Sequence, residues 1–151
     1  MALETEIHQQ NFTGESQKAI INIIYTYHWV TERVKAALLP EDITLQQYNI
    51  LRILRGSDPA PLSTLKIRDR MLDKMSDTSR IVDRLLIKGL VVKKTCSSDK
   101  RLVDVSITLE GKKMLDRLDK KVKGTENMLS NLSMADLKKL NELLDEIRSE
   151  D

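Results

Sequence analysis

From about Ser16 to Leu39 the apolar residues Ile20, Ile23, Ile24, Tyr27, Val30, Val34, Ala37 and Leu38 recur at the spacing of an amphipathic helix. Pro40 is expected to stop it, because proline has no N–H to give the next turn. Thr44-Leu-Gln-Gln47 has the form of a capping box and opens a second helix through Tyr48, Leu51 and Leu54, which Gly56 is expected to close. Asp58-Pro-Ala-Pro61 reads as a loop. Ser63 is placed to cap a short helix to about Leu72. Ser76 is the expected cap of the next one, with Asp77 favourable in its first turn and Thr78, Ile81, Val82 and Leu85 as its buried stripe, up to Gly89.

After Gly89 the period changes. Leu90 to Thr95 is strand-like, and Val103, Val105 and Ile107 alternate with Asp104, Ser106 and Thr108, the pattern of a half-buried strand. Between them lies Cys96-Ser-Ser-Asp-Lys-Arg101, without glycine or proline, where a hairpin built for stability alone favours a tight Asn-Gly or Asp-Gly turn. Thr108 caps a helix through Met114, Leu115, Leu118 and Val122, which Gly124 is expected to bend or end. Ser133-Met-Ala-Asp136 leads a last helix with Leu137, Leu140, Leu144 and Ile147 on one stripe. Residues before about Glu15 read as a polar arm. The middle of the chain is thus a helix-turn-helix followed by a basic hairpin, or wing. A helix fits the major groove of DNA, and a cation on a neighbouring hairpin can reach the electronegative minor groove.

Charge agrees with that reading. The net charge is only +2, but residues 60–110 hold eleven Lys and Arg against seven Asp and Glu, so the middle carries the positive excess. An anionic partner is expected there. With 151 residues, 32% of them charged and 3% aromatic, the chain suits one mostly helical domain. No apolar run approaches the ~20 residues of a membrane span. The N-terminus lacks the apolar stretch of a signal peptide, and a single cysteine fits a reducing compartment, so a cytoplasmic location is expected. His8, His28 and Cys96 have no zinc-ligand spacing, and no nucleophilic triad, phosphate-binding glycine loop or carboxylate pair is visible; neither a cofactor nor enzymatic activity is expected.

The segments "LQQYNILRIL" (45–54), "SRIVDRLLIKGLV" (79–91), "SDKRLVDVSIT" (98–108) and "LEGKKML" (109–115) resemble the MarR family of bacterial winged-helix regulators. The wing carries that family's Asp-x-Arg signature as Asp99-Lys100-Arg101. The resemblance implies a mainly α (α+β) subunit: a winged helix-turn-helix core at about 44–122 between dimerisation helices at about 16–39 and 125–149. It further implies a homodimer that binds pseudo-palindromic double-stranded DNA, usually as a repressor, and a small, often aromatic and acidic, effector that releases the DNA. Three features depart from the pattern. The turn Leu72 to Asp77 lacks a glycine, Thr78 stands where an apolar residue is common, and Asp77 brings an acid near the groove-facing end of the recognition helix.

Ser76, Ser79, Arg80 and Arg84 fall off the apolar stripe of that helix and are the candidate DNA-contacting residues. Arg80 can read a guanine bidentately or bind phosphate; Arg84 can bind phosphate or pair with acids of its own subunit. In the wing, Asp99 can orient Arg101 by a charge-assisted hydrogen bond while Lys100 meets phosphate. Tyr25, His28 and Trp29, with Tyr48 on the second helix, are the candidates for an effector site. Tyr25, Tyr27 and Trp29 cannot all face one way on a helix, so core or dimer contact is the alternative for each. Cys96, at the base of the wing, is either an oxidant sensor or a bystander. Two rival readings are a winged-helix module for protein contact without DNA binding, which the basic wing tip disfavours, and a helical-bundle enzyme or carrier, which lacks its catalytic residues.

Overall fold

The computed structural model describes residues 2–95 and 103–149. Among them the chain is mostly helical with one three-stranded antiparallel sheet. The polar N-terminal arm is partly helical. It forms a one-turn helix, α1 (Leu3–Glu6), in which Leu3 is buried. Lys18 bonds Glu4 at 2.5 Å and the Tyr25 hydroxyl donates to Glu6 at 2.9 Å, tying α1 to the long helix α2 (Glu15–Leu38). A 3-10 turn at Leu39–Glu41 follows, with Pro40 in its first turn, where a missing N–H costs nothing.

The capping box forms as read. Gln47 N–H donates to Thr44 Oγ1 at 3.2 Å, Thr44 N–H to Gln47 Oε1 at 3.1 Å, and α3 (Leu45–Ser57) begins there. Gly56 does not close α3; the helix runs on to Ser57. A two-residue strand that sequence reading missed, β1 (Leu62–Ser63), pairs with Asp104 and Val105, and Ser63 then caps α4 (Thr64–Arg70). Helix α5 (Thr78–Ile87) is capped by Asp77, not Ser76: Arg80 N–H donates to Asp77 Oδ1 at 3.1 Å, while the Ser76 hydroxyl is engaged by Asp73. At its other end Gly89 takes φ +70°, its N–H reaches Leu86 O at 2.9 Å, and Leu90 N–H reaches Leu85 O at 3.0 Å. This double return needs a left-handed residue, which is why a glycine stands there.

The chain then turns directly into β2 (Val91–Thr95), antiparallel to β3 (Val103–Ile107), with Val91 opposite Ile107 and Thr95 opposite Val103. β3 is the central strand, in the order β1-β3-β2. Thr108 caps α6 (Leu109–Glu126), which passes through Gly124 without stopping. The first turn of α6 lies so close to the sheet that a Cβ on Gly111 would fall 2.3 Å from the Leu90 carbonyl oxygen. A second capping box, Ser133 with Asp136, opens α7 (Met134–Arg148).

Apolar burial is concentrated in the middle. Ile50, Leu51 and Leu54 of α3, Val82 and Leu85 of α5, Val91 and Val105 of the sheet, and Leu115 and Leu118 of α6 form one fully buried cluster. Each such side chain contributes about 1.5–3 kcal/mol of transfer free energy. Thr78 is buried among them, and its hydroxyl has no hydrogen-bond partner among the described residues. The flanks differ. In α2 only Leu38 is buried, while Ile20, Ile23, Ile24 and Tyr27 are exposed; α7 buries no residue.

Candidate nucleic-acid interface

Helix α5 turns Thr78, Val82 and Leu85 into the core, which leaves Ser79, Arg80, Asp83 and Arg84 exposed on its other side. The turn that aims α5 is held by side chains in place of the missing glycine. Leu72 N–H donates to Asn49 Oδ1 at 2.9 Å, Met75 N–H to Asp73 Oδ1 at 3.0 Å, and the Ser76 hydroxyl to Asp73 Oδ2 at 2.8 Å. These are the local bonds by which an aspartate folds a turn without glycine. The Ser76 hydroxyl first, then the Met75 N–H, keep the Asp73 carboxyl below its ordinary range. Asp77 is likewise occupied, as the cap of its own helix. Asp83 is paired with Lys93 of β2, which ties the recognition helix to the base of the wing. Lys88, at the end of α5, bonds Asp42 at 2.8 Å in the corner after α2 and lowers that carboxyl's pKa.

The structure brings Ser76 and Ser79 together. They line a cleft of about 310 Å³ with Thr64, Leu65 and Arg68 of α4 and its flank, and with Asp77 and Thr78. Arg80 is exposed, on the side of α5 away from its buried residues. Arg84 lines two hollows of about 290 Å³ each, one beside Thr44, Gln47 and Lys88 and one that it shares with Asp73, Ser76 and Asp77. Asp99, Lys100, Arg101 and Cys96 lie outside the described residues. Sequence reading passed over Thr64, Arg68 and Lys93. The basic run Lys66-Ile-Arg-Asp-Arg70 was the visible signal for Arg68, but no pattern in the chain tells that it faces Ser76.

The four aromatic-site candidates are not gathered. Tyr25 is bonded to Glu6, whose acceptor oxygen, ahead of burial, raises the phenol's pKa. His28 lies edge-on to Tyr27 with ring centres 5.3 Å apart. Trp29 carries the Arg33 guanidinium 3.6 Å from its ring centre. Tyr48 is buried between helices, its hydroxyl donating to Asp119 Oδ1 at 3.0 Å, with Arg55 bonding the other Asp119 oxygen at 2.6 Å. Burial works against the Asp119 charge, but the bonds from Arg55 and Tyr48 outweigh it and hold the carboxyl below its ordinary value.

A cavity of about 460 Å³ lies instead between α2 and the helix-turn-helix. Tyr27, Val30, Thr31 and Val34 form one wall; Leu45, Asn49, Met71, Leu72, Asp73 and Lys74 contribute to the other. Tyr25, His28, Trp29 and Tyr48 do not line it. The reason is rotation: residues two apart on a helix are turned by about 200°, so the face that presents Tyr27 turns Tyr25 and Trp29 away. Among the described residues no His, Cys, Asp and Glu side chains group to hold a metal, and no helix is long and apolar enough to cross a membrane.

Comparison with known proteins agrees with this geometry. The sequence profile of the MarR family matches residues 43–103. A MarR transcription factor from Planctomyces limnophilus is 30% identical, with 89% of this chain and 98% of that one covered at a TM-score of 0.69. A cysteine-to-serine mutant of MarR from E. coli, complexed with operator DNA, is 22% identical, with 99% of this chain and all of that one covered at a TM-score of 0.76. The S. aureus MepR–DNA complex is 20% identical, with 91% and 97% covered at a TM-score of 0.77. These last two likenesses speak for the fold. A search of curated proteins found no match.

Proposed function

The chain belongs to the MarR family of winged-helix transcription regulators, and from that premise we propose that it acts as a homodimer on pseudo-palindromic double-stranded DNA, repressing transcription until a small effector binds. The observation that carries the DNA reading is the exposed face of α5: Ser79, Arg80 and Arg84 stand opposite the buried stripe, with Ser76 at the entrance and the acids Asp77 and Asp83 already engaged by the protein itself. Two of the similar structures hold operator or other DNA on this fold. In the same reading Asp99, Lys100 and Arg101 serve the wing, with Arg101 in the minor groove and Lys100 on phosphate. The segments at about 16–39 and 125–149 pair two such cores, which occupy about 44–122.

The effector reading now rests on the cavity between α2 and the turn, not on the four aromatic candidates. Its walls are largely apolar and its lining includes the Lys74 cation, while the neighbouring Asp73 carboxylate is held by Ser76 and Met75, a combination that suits an aromatic acid. It shares Leu72 and Asp73 with the turn that aims α5. A ligand that binds differently to the DNA-competent and incompetent arrangements would therefore shift the regulator between them.

The test is a titration of operator and scrambled duplexes at several salt concentrations, the operator coming from selection on genomic DNA. Specific binding should weaken with salt at a log–log slope of about −0.9 per neutralised phosphate. Arg80→Ala should relax preference at one base pair per half-site, by about 1–3 kcal/mol. Arg101→Ala should cost more than Lys100→Ala. Aromatic acids, added to the same titration, should lower DNA affinity. A protein that prefers no duplex would support the protein-contact module instead.

A further inference from the structure

Leu65 is the second residue of α4, is 53% exposed, and belongs neither to the buried core nor to the apolar residues packed against it. Core packing therefore does not explain it; Ile67, two residues on, fills that role for α4. What Leu65 does have is a place. It lines the cleft at the start of the recognition helix together with Thr64, Ser76 and Ser79. Other exposed apolar side chains nearby are placed differently: Met75, 92% exposed, projects from the turn, and Ile87 lies at the far end of α5.

Besides Arg68 and Asp77, which caps α5, the lining is hydroxyl groups with one aliphatic side chain, and such a cleft is suited to a surface that is polar with one apolar point. The major-groove edge of a base pair is such a surface. Its donors and acceptors can be met by serine and threonine, and its one apolar feature is the C5-methyl group of thymine. We infer that Leu65 is a specificity-determining residue that packs on the C5-methyl of one thymine in each half-site, while Ser76 and Ser79 face the polar edges beside it. The inference rests on the DNA-binding reading above and adds to it a residue on the supporting helix. Discrimination comes from burial: cytosine offers only hydrogen at the same position, so the contact selects thymine by about the worth of one buried methyl, roughly fourfold in affinity.

Replacing thymine by deoxyuridine removes that methyl and nothing else. The full-length protein is titrated against its selected operator, and against duplexes in which each thymine in turn is deoxyuridine, at one salt concentration. In each half-site one replacement should weaken binding about fourfold. Leu65→Ala should bind the unmodified operator correspondingly less well and lose sensitivity to that one replacement, keeping its response elsewhere. Leu65→Met, which retains an aliphatic reach, should keep the penalty. Because Leu65 is half outside the fold, both variants should melt like the parent, and circular dichroism checks this. The inference is overturned if the operator is bound specifically yet no deoxyuridine matters, or if Leu65→Ala retains the same profile as the parent. A protein that selects no operator at all overturns the DNA-binding reading, and this assignment with it.

Discussion

Leu118 in α6 has no exposed surface, whereas Ile24 in α2, an aliphatic side chain of the same size, is 53% exposed. The two belong to stripes of equal regularity, and periodicity alone does not distinguish them. What separates them is company. Between Ile43 and Leu118 the stripes of α3, α5, α6 and the sheet close on one another within a single chain. Those of α2 and α7 meet too little of their own chain: Ile20, Ile24, Leu140, Leu143 and Ile147 all remain exposed. Monomeric proteins seldom leave apolar faces of this extent in water. The winged-helix region is thus complete as a packing unit, whereas the flanks leave their apolar stripes uncovered among the described residues.

The sharpest break of the contrast is a truncation on each side. Leu118→Ala should destabilise the fold by about 2–5 kcal/mol, because it removes buried methyl groups and leaves a cavity that the surrounding helices cannot fill. Urea denaturation at constant protein concentration measures this; a loss below about 1 kcal/mol would place Leu118 outside the main core. On the flank the effect should appear in assembly. Ile24→Lys should leave the helical spectrum intact but weaken self-association by about 2–3 kcal/mol, the burial of one such side chain, or tens- to a hundredfold in dissociation constant. Light scattering across a dilution series reads it. A parent chain that is monomeric at micromolar concentration would erase the distinction between the two regions.

The same contrast marks what could be read from the sequence. Local devices were legible: the capping boxes at Thr44–Gln47 and Ser133–Asp136, and the left-handed Gly89 closing α5, are each complete within a few residues. So were the order of helices and the wing's alternation. Features that depend on distant partners were not. β1 is two residues long and exists only because Val105 and Asp104 lie beside it. Gly56 looked like a terminator, yet nothing in its backbone requires a left-handed turn there, and α3 continues. Ser76 looked like a cap, but Asp73 takes its hydroxyl and leaves the cap to Asp77. Tyr48 looked like a ligand-site residue because its partner, Asp119, is 71 positions away. The cavity joins residues 27–34 with 71–74, and no spacing rule links them. The candidate DNA-contacting residues fall between the two cases: the amphipathic stripe exposes Ser79 and Arg80, but only the packing of α4 on α5 sets Leu65 and Arg68 in one cleft with Ser79.

The smallest effect concerns the seam where the two regions share α6. Asp119 accepts from Tyr48 and Arg55 of α3 and so fastens the self-contained core to the helix that leads into the C-terminal flank. Its carboxyl is held below the ordinary value of 3.8, the bonds from Arg55 and Tyr48 prevailing over burial. A carboxyl whose pKa is lower folded than unfolded contributes stability above its unfolded pKa and loses it as the pH falls through the folded one. The contribution should therefore be constant near neutrality and fade between about pH 5 and 2. Both partners of the Arg55–Asp119 pair are about a third exposed, so solvent screening limits the contribution to about 1 kcal/mol or less. Asp119→Asn is the informative change, since the amide oxygen can still accept from Tyr48 or Arg55 while the charge is gone. The variant should be slightly less stable than the parent at pH 7, and the gap should narrow as the parent carboxyl protonates. A gap that stays the same down to pH 2 would mean that shape, not charge, holds α3 against α6, and the seam would then be an extension of the apolar core.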